Sequence, residues 1–344
     1  MNAARRARAV LHGVTPSNAG PVAGVEHEYV VRGFDAPVDF SKLVDDLDLG
    51  RRLDPGDVHA HLGAWGGVIT ADGKEAEIAT PPVCVGLRFD AELEAWAARG
   101  RAELEIALGA FELEGYSTHI SVEVPDRIVR RVARTFAARV APAMMLMLDD
   151  ATSPGLLVRP RRNRLEICGE FREGAALRAA ITFAVAGVRA CQFDRRTLPP
   201  AVKFRREPAR ERYGIYVDRS AFGVDLYAGG RDTRLRRRRG TINAQDVLAE
   251  TWSSLRGQIT GWVGDEALNL VDAVVAGSQP LPVEGTANVE CPTPLLRVSP
   301  WARALEARTP LVVARWDTCV FRTDLGYLSV PRPWLEPYLD RIAA

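Results

Sequence analysis

Carboxylates and an imidazole set inside β-prone apolar runs constrain this chain more than any other feature of its sequence. Four segments carry them: Gly24-Val25-Glu26-His27-Glu28-Tyr29, Glu75-Ala76-Glu77-Ile78-Ala79-Thr80-Pro81-Pro82, Ser117-Thr118-His119-Ile120-Ser121-Val122 and Arg164-Leu165-Glu166-Ile167. A sequence shaped by burial alone would not place ionised groups there, because a desolvated carboxylate needs a cation or a cluster of donors to offset its cost. Strand side chains alternate faces, so Glu26 and Glu28 point one way and His27 the other. Several such groups on one sheet suggest a divalent-metal site. Hard carboxylate oxygens at one-residue spacing suit magnesium.

Bulk properties exclude several classes. The 344 residues, 47% hydrophobic and 26% charged, describe an ordinary globular protein of one large or two average domains. A net charge of +1 gives no global attraction to nucleic acid or membrane, so neither is expected as a partner. The five cysteines show no Cys-x-x-Cys spacing and read as reduced core thiols. Residues 1–20 lack the apolar core and cleavage site of a secretory signal. No uninterrupted apolar run approaches the roughly 20 residues of a membrane span. The expected location is the cytoplasm.

Periodicity and punctuation predict strands over Val22–Val31, Tyr116–Val124 and Arg164–Cys168, and a hairpin over Val68–Thr80 turned at Asp72-Gly73. Helices are predicted over Asp90–Leu113, Arg127–Leu148, Ala175–Phe193 and Ala244–Trp262. Strand and helix are mixed without the alternation of a doubly wound parallel sheet, which implies an α+β fold. No Gly-x-Gly-x-x-Gly or Walker-type loop is present. The expected division is an N-terminal extension over 1–21, a main domain over 22–276 and a C-terminal appendage over 277–344.

Glu77, His119 and Glu166, on three further strands, can complete sites for two or more ions with Glu26 and Glu28. Such ions bridge ATP phosphates and neutralise charge during phosphoryl transfer. Arg159, Arg161, Arg162 and Arg164 border the last strand and can clamp a phosphate or carboxylate with forked donors. His59-Ala60-His61 has same-face spacing but no neighbouring thiol or carboxylate in ligand spacing, and reads as surface histidines. Met144, Met145 and Met147 read as core filler, and Arg234 to Arg239 as a solvated loop or anionic-ligand rim.

Taken in order, the four segments resemble the carboxylate–amine ligases of the glutamine synthetase superfamily, especially the bacterial and plant type of glutamate–cysteine ligase. Gly24, Glu26 and Glu28 match a Gly-x-Glu-x-Glu first strand, and Ala76–Pro81 a Val-Glu-Ile-Ala-Thr-Pro-like strand. Thr118–Val122 matches a His-bearing strand, and Arg159 to Glu166 an arginine segment leading to Leu-Glu. Glu211-Arg212-Tyr213-Gly214-Ile215 is similar to a motif near the nucleotide. The resemblance covers roughly residues 22–262 and rests on the shared order of short motifs.

It implies a curved antiparallel sheet with helices on its outer face and the active site in the hollow. By that resemblance Glu26, Glu28, Glu77, His119 and Glu166 hold magnesium, with manganese as a substitute. Arg159 and Arg164, with Asp72 as an added acid, serve catalysis, while Arg212, Arg162 and Tyr213 hold ATP. The implied reaction joins a small-molecule carboxylate, of amino-acid type, to an amine through an acyl phosphate, in a protein that can form a homo-oligomer. The chain departs from the superfamily where Cys168 replaces an arginine two residues after the last metal glutamate, and where Ser117 replaces the first His of His-x-His. These departures keep open other phosphoryl transfers on the same fold, a guanidino kinase or a protein side-chain ligase, and a non-catalytic nucleotide-binding relative.

Overall fold

The structure is a computed structural model that describes residues 21–34, 36–54, 57–63, 65–202, 207–209, 214–284, 311–314, 318–323 and 326–331. The chain divides into two compact units. One is formed by Met1–Cys84, Ala95–Tyr116 and Pro294–Ala344, the other by Val85–Glu94 and Ser117–Thr293.

In the first unit, β1 (Val22–Arg32) pairs at its two ends with β2 (Pro37–Val38) and β7 (Val83–Cys84). From β1 the antiparallel order runs through β6 (Glu75–Ala79), β5 (Val68–Asp72) and β4 (Asp57–Leu62) to β3 (Arg51–Asp54). Asp72 opposes Glu75, so Gly73 and Lys74 form a two-residue hairpin loop, and Gly73 takes φ 65° as such turns require. The hairpin lies where the Asp72-Gly73 pair predicts it. Separately, β15 (Leu311–Ala314), β16 (Thr318–Thr323) and β17 (Gly326–Pro331) make a three-stranded antiparallel sheet.

The helix α1 (Phe89–Leu108) buries Leu93, Trp96, Leu104 and Leu108, the apolar face its periodicity predicts. It ends five residues before the expected Leu113. Gly109 turns left-handed (φ 63°) and stops the helix, and Glu112 already belongs to the next strand, β8 (Glu112–Glu123).

In the second unit the strand order is β11 (Glu207–Ala209), β12 (Gly214–Asp218), β9 (Gly155–Arg161), β10 (Arg164–Glu170), then β8, all antiparallel. The single helix expected over Arg127–Leu148 is two: α2 (Asp126–Arg139) and α3 (Ala141–Leu148). Pro142 explains the break at Val140, because its ring lacks an N–H and excludes the carbonyl four residues back. Val129, Val132 and Phe136 of α2 pack over Leu156, Val158, Leu165 and Ile167 of the strands. The helix α4 (Gly174–Phe193) is the one helix among the described residues long and apolar enough to cross a membrane. It is mostly buried against α2, α3, α5 (Ala244–Arg256) and α6 (Asp265–Ala276), as a core helix is.

Periodicity predicts one helix over Ala244–Trp262 and gives no sign of α6. Gly257 closes α5, and the turn at 259–263 redirects the chain into α6, which Gly277 ends at φ 80°. A short two-stranded ribbon, β13 (Arg234–Arg236) with β14 (Thr241–Asn243), precedes α5. Met144, Met145 and Met147 are buried, as core filler should be. Cys168 and Cys191 are buried, and burial pushes the Cys191 thiol far up. His61 corrects the surface reading of the histidine pair: it is buried, with Nε2 4.0 Å from Asp45.

Trp65 anchors the first unit's core. Its indole is fully buried beside Trp96 at 6.2 Å between ring centroids, and the ring is wrapped by glycines. A Cβ on Gly67 would stand 1.9 Å from the ring, and one on Gly100 within α1 would stand 2.7 Å from it. An exposed helical glycine gains up to about 1 kcal/mol of stability when replaced by alanine. Here the sign reverses. Gly100→Ala should lower unfolding stability by about 1–3 kcal/mol through overpacking, measured by denaturant melts. A stabilised variant would contradict this packing.

Candidate active site

The first unit carries a face of carboxylates. Across β1 and β6, Glu28 stands directly opposite Glu77 and Glu26 opposite Ala79, so all three glutamates share one side of the sheet. A carboxylate oxygen of Glu28 lies within 4.8 Å of one of Glu77. Glu28 is buried, whereas Glu26 and Glu77 are half-buried. The register is locked beyond the end of β6 by Thr80, whose Oγ1 accepts the Val25 amide (2.9 Å) and whose own amide donates to the Val25 carbonyl (2.8 Å). His27 projects from the opposite face into the core, with Nδ1 3.2 Å from the Tyr29 hydroxyl. Asp72 shares the carboxylate face but sits at the exposed hairpin end opposite Glu75.

The second unit carries an imidazole and a carboxylate ringed by guanidinium groups. Cys168 opposes His119, while Glu166 opposes Ser121 on one side and Arg159 on the other. These side chains therefore share one face. Leu165, Ile167 and Gly169 take the other, against the helices. A Cβ on Gly169 would meet Asp149 at 2.4 Å. A ring nitrogen of His119 lies within 4.8 Å of a Glu166 oxygen, and Nε2 is 3.2 Å from the Ser117 hydroxyl.

Glu166 is almost completely buried. Its Oε2 faces Arg159 Nε at 2.8 Å and Arg161 Nε at 3.2 Å, with Arg164 Nη2 3.6 Å from Oε1. One carboxylate thus gathers three guanidinium groups. The excess positive charge is suited to a phosphate or a second carboxylate.

Arg162 stands apart from that ring, exposed at the β9–β10 turn beside the left-handed Asn163. Cys168, at the position where an arginine was expected, lies 3.8 Å from Arg159 Nη1 and 3.7 Å from Glu166 Oε2. Arg172 reaches Asp150 (3.4 Å) and the Phe171 carbonyl (2.7 Å). Arg212 and Tyr213 lie outside the described residues.

One polar pair escaped the sequence reading. The Tyr227 hydroxyl donates to Asp149, across 78 residues of chain, and both are buried. Burial raises the Asp149 pKa to about 7, against the lowering effect of the Tyr227 bond. Burial also raises Tyr227 and Glu170. Only an acid directly after the apolar run 144–148 hinted at it.

No family model matches the sequence, and no curated protein matches it. Among solved structures, the complex between prokaryotic ubiquitin-like protein Pup and its ligase PafA aligns over 95% of this chain and 94% of that chain. The identity there is 10% and the TM-score 0.54. The likeness is one of fold, and the α+β architecture with antiparallel sheet and packed helices agrees with the sequence expectation. A second match, GmaS without ligand, has 12% identity over 83% of this chain and 76% of that chain. Its TM-score is 0.33, too low to argue from.

Asp149 carries a signed prediction. Its folded pKa of about 7 exceeds the ordinary 3.8, so the folded state holds the proton more tightly than the unfolded state. The stability of the wild type relative to Asp149→Asn should be greatest near pH 4. It should fall, by roughly 4 kcal/mol at most, as pH rises to about 7. Denaturant melts across that range measure the difference. A rise with pH would mean that Asp149 is ionised and stabilised by Arg172.

Proposed function

We propose that the protein is an ATP- and magnesium-dependent carboxylate–amine ligase of the cytoplasm, with a glutamine synthetase-like curved sheet. The observation that carries the reading is the Glu28–Glu77 pair, two carboxylates on adjacent strands with oxygens within 4.8 Å. Their donor type and spacing fit magnesium. We assign Glu26, Glu28, Glu77, His119 and Glu166 to the metal. Glu166 fits least simply, because an ion there competes with Arg159 and Arg161 for the same oxygen. A cation held by these residues would supply charge neutralisation during phosphoryl transfer.

In this reading the substrate carboxylate oxygen attacks the γ-phosphorus and ADP leaves, giving an acyl phosphate. The amine then attacks the acyl carbon, inorganic phosphate departs, and a proton passes to solvent. Arg159, Arg161 and Arg164 orient the transferred phosphoryl group and stabilise its charge; preorganised donors of this kind do so without reorganising. Arg162, Arg212 and Tyr213 are assigned to the nucleotide, and Asp72 is kept as an added catalytic acid. Cys168, buried 3.8 Å from Arg159 Nη1, stands where the superfamily resemblance expects an arginine.

A second reading is favoured by the fold shared with PafA, a ligase solved with a protein partner. In it one of the two substrates is a protein side chain. The reactions are told apart by what accompanies ADP release. Small amines and amino acids stimulate it in the first case; in the second they do not, and a mass increase appears on a protein.

The test is magnesium-dependent ADP release with pooled amino acids and amines, followed by mass detection of products. Glu28→Gln should lower turnover at least 100-fold and abolish the rise in melting temperature that magnesium gives the wild type. Turnover that survives this substitution would remove Glu28 from the site. Absence of both turnover and nucleotide binding would end the ligase reading.

A further inference from the structure

A groove lies between the C-terminal half of α2 and the segment that follows α4. Arg131, Arg134, Arg139, Arg195 and Arg196 line it, its volume is about 650 Å³, and no carboxylate is among its lining residues. The groove is built, not a chance gap between side chains. Arg139 Nη1 donates to the carbonyls of Arg195 (3.2 Å) and Leu198 (3.3 Å), tying the segment to the helix. Thr197 then closes the turn, its amide (3.2 Å) and hydroxyl (2.8 Å) both donating to the Asp194 carbonyl. Arg131, Arg134, Arg195 and Arg196 are left exposed along its rim.

Arg127 and Arg130 extend the row along the exposed face of α2, opposite the buried Val129, Val132 and Phe136. From Arg127 to Arg139 the row is roughly 18 Å long at the helical rise. Like charges at these spacings cost a helix a few tenths of a kcal/mol per pair. No acidic residue follows Asp126 in α2 to offset them. A solvated face would normally mix both signs. An unmixed row that flanks a formed groove has the character of a binding surface.

Two features select the ligand class. The row is longer than a compact phosphate would occupy, and its guanidinium forks can bind a series of carboxylates bidentately. Single-stranded nucleic acid is held best where successive bases stack on open aromatic faces. The Arg189 guanidinium covers Trp262 at 3.3 Å from its centroid, which leaves Phe193 as a single ring and not a stacking row. Phe193 nonetheless stays 71% exposed at the end of α4, an apolar contact beside the charges.

We propose that this groove docks an acidic polypeptide segment of a partner protein. The inference does not rest on the ligase reading and holds whether or not the protein turns over ATP.

The test is fluorescence anisotropy of a labelled peptide rich in glutamate with interspersed leucine, titrated with the full chain. Binding should weaken as salt is raised. Arg131→Glu with Arg134→Glu should weaken it about tenfold or more, and so should Arg195→Glu with Arg196→Glu. The same charge change at Arg238 and Arg239, exposed in the β13–β14 loop, should leave affinity unchanged. Circular dichroism checks each variant, and the 195/196 pair, on a turn, decides the matter if the helix pair unfolds. No binding at low salt, equal loss in the 238/239 control, or tighter binding of a single-stranded oligonucleotide of equal charge would each overturn the proposal.

Discussion

The pairing of β1 with β6 is the constraint on which the rest depends. It sets Glu28 opposite Glu77 and holds Glu26 on the same side. Because side chains alternate with a period of two, a slip of one residue would send all these carboxylates into the core and His27 and Ile78 out to the face. Several contacts resist that slip. The hairpin fixes β6 against β5, Thr80 hydrogen-bonds both ways to Val25, and the fully buried Tyr29, Ile69 and Ile78 reward only the observed register. The apolar half of each strand therefore positions the polar half.

A different electrostatic solution operates in the second unit. Glu166 is buried, but it sits among Arg159, Arg161 and Arg164, which come from its own strand and the adjacent one. Removing one partner from such a cluster leaves uncompensated charge, so the group behaves as a unit. Its positive excess and the carboxylates of the first unit are opposite in sign.

Much of this was readable because local chemistry carries it. The Asp72-Gly73 turn announced the hairpin, alternation announced β1, and the spacing of Leu93, Trp96, Leu104 and Leu108 announced α1. The misses share a cause in contacts or breaks that periodicity overrides. Pro142 splits an apolar pattern that otherwise continues smoothly, and Gly109 ends a helix whose letters still favour it. The helix α6 hides because Leu268, Val271 and Val274 give only a short apolar stripe. At the site, the glutamates and His119 stand out as polar residues in apolar strands. The arginines stand out as a cluster from Arg159 to Arg164, but their convergence on Glu166 depends on cross-strand neighbours, and the Asp149–Tyr227 pair joins residues far apart in sequence.

The central claim is that acidic side chains of the first unit hold a hard divalent cation for phosphoryl transfer. A crystal grown with manganese and a non-hydrolysable ATP analogue, with anomalous scattering to locate the metal, tests it most directly. The account predicts manganese bonded to Glu28 and Glu77 at about 2.1–2.2 Å, next to the analogue's phosphates. Nucleotide bound elsewhere, or manganese absent from both glutamates while the analogue is bound, would contradict it.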